Sequence, residues 1–321
     1  MKRRTVKHGP QPTELGLGAA QFGNLYRETT DDEALAAVDR AWDRGIRYFD
    51  TAPHYGLGLS ERRLGAALAR YDRDDYVVST KVGRLLVPSP ETAHRLDDGG
   101  FAVPAATRRE WDFSRDGILR SFEGSLQRLG LDRVDIVYLH DPDDHWAAAS
   151  TTGIDALVEL REQGLVGAIG AGMNQSAMLA EFVRRCDVDV VMVAGRYTLL
   201  DDDAAHDLMP VALERGVGVV AAAVYNSGLL SSARPAADAR FDYEQAPAEL
   251  VARANSIADV CERHGVTLPE AAVAYPLRHP AVVSVVVGSR TATQVESNVD
   301  RYGAHIPEQL WTDLRADGLV A

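Results

Sequence analysis

The sequence predicts an α/β protein built as a (β/α)8 barrel, the TIM architecture. Three observations carry that expectation. Short β-branched runs alternate with longer segments of helical period along the whole chain. Eight strand–helix units fit into 321 residues, a size that suits one barrel. The turn after the first strand reads "GLGAAQFG" and lacks the GxGxxG spacing that opens the first helix of a doubly wound dinucleotide fold. With no linker, low-complexity tract or internal repeat in view, residues 1–321 read as one domain.

Each unit has its own warrant. "LGLGAA" (Leu15 to Ala20) reads as the first strand; in the helix that follows, Asp31 and Asp32 sit at the electropositive start and Gly45 stops it. "IRYFD" is the second strand, and Ser60 stands where an N-cap would open "SERRLGAALARY". "YVVSTK" (Tyr76 to Lys81) is the third strand. A Pro-, Gly- and Asp-rich stretch from about Gly83 to Phe113 then reads as irregular. "VDIVYLH", "VGAIGAG", "VDVVMVAG" and "VGVVAAAV" supply strands four to seven, with helical segments between them; one of these is "DDAAHDLMPVALERG". A second long loop, roughly Asn226 to Pro247, precedes two helical segments. "AVVSVVVG" is the eighth strand, "TATQVESNVDRYG" the last barrel helix, and "PEQLWTDLRADG" an extra C-terminal helix. Loops as long as those after strands three and seven are usually functional or disordered.

Composition narrows the function class. The chain is 46% hydrophobic and 25% charged, with a formal net charge of −13, so it has no electrostatic footprint for nucleic acid or an anionic membrane. Its two cysteines, Cys186 and Cys261, lack CxxC spacing and suit a reducing compartment. The basic start is followed by no apolar h-region, and the apolar runs are strand-length, far short of a bilayer span. The expectation is a soluble cytoplasmic protein acting on a small molecule.

The chemistry lies at the strand ends. The second, third and fourth strands end on Asp50, Lys81 and His140, and Tyr55 follows a few residues into the loop after the second. In a barrel these ends converge on the catalytic face, and neighbouring strands lie about 4.8 Å apart. A free tyrosine titrates near 10, and a nearby ammonium lowers that value. Asp50 would hold Lys81 charged, and His140 would orient a substrate oxygen or help relay a proton. Tyr55 then serves as general acid when a carbonyl is reduced and as base when an alcohol is oxidised. No His/Cys/Asp cluster has metal-ligand spacing, and the chain supplies no hydride donor, so a nicotinamide cofactor is expected. Taken singly, each residue has a plainer reading: turn cap, surface lysine, core histidine, packing aromatic. All four on one face of one barrel outweigh those readings.

"FDTAPHYGLGLSERRLGAAL", "VVSTKVG" and "RLGLDRVDIVYLHDPD" closely resemble the signatures of the aldo-keto reductase family. The resemblance implies Asp50, Tyr55, Lys81 and His140 as the catalytic tetrad, and NAD or NADP bound in extended form on the barrel. It places Asn174 on the nicotinamide carboxamide, although a strict alignment puts Met173 there. Where many members have Gln on the sixth strand, this chain has Ala194. Arg196, two residues on and on the same strand face, is either its substitute or a charge at the barrel end. Tyr225 is the nearest substitute for the aromatic residue that stacks on nicotinamide, with Asn226, Ser227, Gly228 and Leu229 beside it. Ser289, Arg290, Gln294 and Asn298 are the candidates for the adenosine end. Gly288 and Gln294 stand where NADP-dedicated members often carry Lys and Arg, which leans towards NAD, although Arg290 offers a grip for a 2′-phosphate. "GMNQ", "AGRYTLL", "VYNSGLLSS" and the run from Trp111 resemble the branch that oxidises free sugars at C1, the L-fucose, D-threo-aldose and L-galactose dehydrogenases. That branch implies oxidation of an aldose to its lactone. The competing expectations are a general aldehyde, ketone or pyridoxal oxidoreductase, a cofactor-sensing regulatory subunit on the same barrel, and an aldolase working through a Lys81 Schiff base.

Overall fold

The structure, a computed structural model, describes residues 1–320 apart from 8, 237 and 243. Among the described residues, twelve strands follow one another. They are β1 (Leu15–Gly18), β2 (Tyr48–Asp50), β3 (Val77–Val82), β4 (Arg84–Pro88), β5 (Thr107–Trp111) and β6 (Val134–His140). Then come β7 (Val166–Met173), β8 (Val190–Ala194), β9 (Gly218–Ala222), β10 (Arg240–Phe241), β11 (Glu244–Gln245) and β12 (Val282–Gly288). Eight of them close a parallel barrel in the order β1-β12-β9-β8-β7-β6-β3-β2. The helices are α1 (Asp31–Asp43), α2 (Leu59–Leu68), α3 (Arg115–Leu129), α4 (Trp146–Ala148), α5 (Ile154–Glu162) and α6 (Ser176–Arg185). They continue as α7 (Leu208–Arg215), α8 (Ala248–Arg263), α9 (Leu268–Leu277), α10 (Ala292–Gly303) and α11 (Glu308–Ala316). None of the described helices is long and apolar enough to cross a membrane.

Strand periodicity sorts the side chains into two shells. Phe49, Val78, Val137 and Leu139 point outward into the main core beneath the helices, whereas Tyr48, Ile136 and Tyr138 fill the barrel interior with Val6, Met192 and Val286. The same alternation turns Asp50, Lys81 and His140 inward at the C-terminal ends of their strands.

The fold departs from the sequence reading in several places. The first strand stops at Gly18, and a tight 3-10 turn follows over Ala20–Gly23. The stretch after β3 is not irregular throughout: β4 and β5 pair antiparallel from Arg84↔Trp111 to Pro88↔Thr107 and stand over the barrel mouth. Helix α7 starts only at Leu208, because Pro210 has no N–H to donate and fits a helix only within its first turn. Ser60 does not cap α2. Gly58, at φ 80°, is the N-cap, and the buried Ser60 hydroxyl donates to the Ala19 carbonyl at 2.6 Å and meets Thr51 at 2.8 Å. Helix α1 is capped by Thr30 and Glu33, each side chain bonding the other's backbone N–H.

Candidate active site

Two glycines bring Tyr55 to the barrel mouth. Gly23, after β1, and Gly56, after β2, pack backbone against backbone; a Cβ on Gly56 would fall 2.3 Å from the Gly23 carbonyl oxygen. Gly56 is also left-handed, at φ 62°. Only glycine at both positions lets the two loops touch, and Tyr55 is fixed beside that contact.

The structure brings Asp50, Lys81 and His140 at the strand ends together with Tyr55. Lys81 and Asp50 are buried, and the Lys81 ammonium donates to Asp50 Oδ2 at 2.7 Å and to the Thr51 carbonyl at 3.0 Å. It lies 4.9 Å from the Tyr55 ring centroid, and the His140 ring meets the Tyr55 ring edge-on at 6.0 Å. Burial opposes the lysine's charge, but Asp50 and Tyr55 together hold its pKa above the ordinary lysine value. Burial also raises the Tyr55 phenol above its ordinary value, and Lys81 offsets only part of that. His140 is driven well below the usual histidine range by burial and by the cations Arg84 and Lys81. Its Nε2 lies 3.7 Å from Asp141 Oδ2, but a neutral imidazole makes no ion pair there. Neutral His140 offers one donor and one acceptor, which suits holding a substrate oxygen better than relaying a proton.

Sequence reasoning missed the wall that faces this group. His54, the residue before Tyr55, packs edge-on to His140 at 5.6 Å and to Phe101 at 5.3 Å. Burial, with Arg84 and Arg109 nearby, pushes its pKa down to about 2. Arg84 on β4 binds Asp141, which directly follows His140 in left-handed backbone at φ 41°. Arg109 on β5 grips both oxygens of Asp97, at 2.6 and 2.8 Å, and donates to the His54 carbonyl at 2.9 Å. Nδ1 of His54 and of His140, and Nε of Arg84 and of Arg109, are buried without hydrogen-bond partners. The signal in sequence was slight: "RLLVP" and "TRREW" are short strand-like runs separated by a long polar loop.

The candidate cofactor residues fall into separate groups. Asn174 follows β7, and its amide donates to the Ala194 carbonyl at 2.9 Å; Met173 is the last strand residue and is buried. Arg196 is not on a strand: β8 ends at Ala194, and the guanidinium binds both oxygens of Asp242 and lies 3.4 Å from Asp201, so it is a barrel-end ion pair. Tyr225 does not reach over the barrel centre. Its hydroxyl donates to Asn298 Oδ1 at 2.9 Å, and Arg301, which sequence reasoning did not single out, donates to that hydroxyl at 3.0 Å. Asn298 in turn donates to Ser289 at 2.9 Å, so these residues form one network between the loop after β9 and α10. Arg290 is no solvated charge: it is buried, and its guanidinium donates to the Leu25, Arg27 and Glu28 carbonyls. Gln294 accepts from the Arg290 backbone N–H at 2.7 Å. Asn226, Ser227 and Gly228 turn through left-handed backbone, and Leu229 is buried behind them.

A nicotinamide dinucleotide fits this rim. The buried Asn226 Oδ1 and Gln21 Oε1 have no hydrogen-bond partner, and they stand at the barrel mouth beside Gly195 and Gly288. Helix α10 directs its N-terminus, capped by Thr291, to the same edge, which favours an anionic group.

Comparison with known proteins agrees with this geometry. The sequence matches the aldo/keto reductase family over residues 14–316. It is 50% identical to a D-threo-aldose 1-dehydrogenase from Pseudomonas sp, over 95% of this chain and 94% of that protein. It is 39% identical to a pyridoxal 4-dehydrogenase from Microbacterium luteolum, over 100% and 98%. Among solved structures, an aldo-keto reductase from Bacillus halodurans in its holo form has a TM-score of 0.76 and 26% identity, covering 100% of this chain and 97% of that one. A closed eight-stranded barrel, an inward Asp–Lys pair beside a buried tyrosine, and a match along nearly the whole chain lead to one conclusion: this protein belongs to the aldo/keto reductase family and is an oxidoreductase enzyme.

Proposed function

We propose that the enzyme oxidises an aldose at C1 to its lactone, with Tyr55 as the general base. The observation that carries this reading is the polar wall around Tyr55. His54, His140 and the Arg84–Asp141 pair set polar side chains around the phenol. The hydroxyls of a sugar can bond to such polar groups, whereas a hydrocarbon aldehyde would desolvate them without replacing their bonds to water, at a cost of about 1–3 kcal/mol per group. The similarity to a D-threo-aldose 1-dehydrogenase supports the same reading.

In this proposal His140 holds the C1 oxygen, and Tyr55, stabilised as the phenolate by Lys81, takes the hydroxyl proton and becomes the phenol. A bound nicotinamide dinucleotide would accept the hydride from C1. Asn174, Asn226, Ser227, Gly228, Leu229, Ser289, Gln294 and Asn298 would hold that cofactor. Arg196 and Tyr225 would support the rim through their ion pair and hydrogen bonds. Arg290 braces the loop after β1 with its guanidinium, which leaves it poorly placed to grip a 2′-phosphate and supports NAD over NADP. The reverse reaction, reduction of a small aldehyde, uses the same groups.

Absorbance at 340 nm with NAD+ or NADP+ and a panel of aldoses tests this. We expect turnover with an aldose and a preference for NAD+. Tyr55→Phe should lower kcat by about 10²- to 10⁴-fold. Full turnover in that variant would overturn the mechanism. Turnover with pyridoxal and no aldose would shift the substrate class to that of the Microbacterium relative.

A further inference from the structure

One layer below Asp50 and Lys81, the barrel interior holds three hydroxyls that the proposed reaction does not use. Strand alternation places Tyr48 beneath Asp50, Ser79 beneath Lys81 and Tyr138 beneath His140. Asp50 lies in register with Ser79 across β2 and β3. All three hydroxyl residues are fully buried, and their neighbours in that layer include Ile136, Ala168 and Val190. Ser79 Oγ lies 2.7 Å from Asp50 Oδ1, Tyr48 Oη lies 3.0 Å from Ser79 Oγ, and Tyr138 Oη lies 3.3 Å from Tyr48 Oη.

The direction of every bond follows from the last acceptor. Ionised Asp50 only accepts, so Ser79 donates to it. A serine hydroxyl has one proton, so Ser79 accepts from Tyr48, and Tyr48 for the same reason accepts from Tyr138. The result is a one-way chain of three O–H groups aimed at Asp50 Oδ1, opposite the ammonium on Oδ2. Phenylalanine and alanine would fill this layer without the cost of burying hydroxyls. Donors lined up in a low-dielectric interior polarise one another and stabilise the charge at the chain's end.

We propose that Tyr138, Tyr48 and Ser79 are positioning residues that hold the Asp50 carboxylate through this chain and so set the proton affinity of Tyr55. The proposal rests on Tyr55 being the general acid/base. Asp50 opposes ionisation of Tyr55 and Lys81 favours it. Drawing charge onto the hydroxyl chain weakens the first influence and leaves Lys81 placed to exert the second. The other groups facing Tyr55 are His140 and His54, both neutral, and Asp141, which is bound to Arg84. Arg109 lies behind them, paired with Asp97. The chain touches none of these.

The test compares Ser79→Ala, Tyr48→Phe and Tyr138→Phe with the parent enzyme. Each is also paired with its own Tyr55→Phe double variant, so that the phenolate absorbance near 295 nm isolates Tyr55 in the cofactor-free protein. The Tyr55 midpoint should rise in all three, most for Ser79→Ala and least for Tyr138→Phe. The pH profile of kcat for oxidation should move the same way. A midpoint higher by one pH unit lowers the rate at neutral pH by up to about tenfold, with sugar KM unchanged. Tyr138→Phe removes only an oxygen three hydrogen bonds from Asp50 and keeps the ring, so it still reports if Ser79→Ala fails to fold. Folded variants whose midpoint and profile match the parent would overturn the chain, even with Tyr55→Phe inactive. Full turnover in Tyr55→Phe would overturn the chain and the mechanism together.

Discussion

At the scale of single residues, Tyr55 is pulled two ways. Burial raises its phenol, and Lys81 pulls it back. The net direction is upward, so oxidation, which needs the phenolate, should speed up as pH rises into the alkaline range, while reduction, which needs the phenol, should fade there. Lys81→Met removes the cation and leaves Asp50 buried without its partner. The expected outcome is at least a hundredfold loss of oxidation at neutral pH, partly recovered at higher pH, in steady-state assays run beside a thermal melt. A flat loss at every pH would mean that Lys81 acts on folding and not on Tyr55. Asp50, Tyr55, Lys81 and His140 were legible in the sequence because strand ends in a barrel fix where residues meet. His54 and Arg84 were not, because their place in the wall depends on a hairpin with no strong periodicity. Arg290 reads as a phosphate grip until the carbonyls of the loop after β1 are seen to converge on it.

At the scale of elements, the β4–β5 hairpin and the loop within it form the site's outer wall. Phe101 and Val103 pack with Leu57 near Tyr55, and the Arg109–Asp97 pair ties that loop to the His54 carbonyl. Both ion-pair side chains are nearly buried, at 9% and 3% exposure. Removing one partner from such a pair strands the other at a cost of about 3–5 kcal/mol. That cost exceeds what a surface loop can absorb, so the loop should open locally while the barrel stays folded. Asp97→Asn should therefore raise sugar KM several-fold and speed limited proteolysis between residues 89 and 106, with little change in Tm. A Tm loss with no new cleavage there would show that the pair serves the barrel and not the wall. The barrel strands were legible because β-branched runs alternate with amphipathic helices. The hairpin was not, because Pro, Gly and Asp hide two five-residue strands that pair with each other.

At the scale of the whole molecule, the site is set into a barrel whose interior excludes water, and the two histidines of the site fold in their neutral forms. His140 is held well below its ordinary pKa and His54 is pushed down to about 2, both chiefly by burial and then by Arg84. In the unfolded chain each titrates near 6.5. Between about 6.5 and the lower folded values, the unfolded state binds a proton that the native state refuses. Stability is therefore lost as pH falls, by up to about 1.4 kcal/mol per pH unit for each histidine. Carboxylates add their own slopes, so the measurement is a difference: unfolding free energy from urea titrations at pH 5 to 8, parent against His140→Asn. The variant lacks one refused proton. It should lose ground less steeply below pH 6.5, so that its stability relative to the parent improves by about 1.4 kcal/mol for each pH unit of acidification. His54→Gln should do the same. Parallel curves for parent and variant would mean that His140 takes up a proton in the folded protein. The imidazole would then be cationic below neutrality, free to donate a proton as well as to hold the substrate oxygen, and the division of labour between His140 and Tyr55 would have to be redrawn.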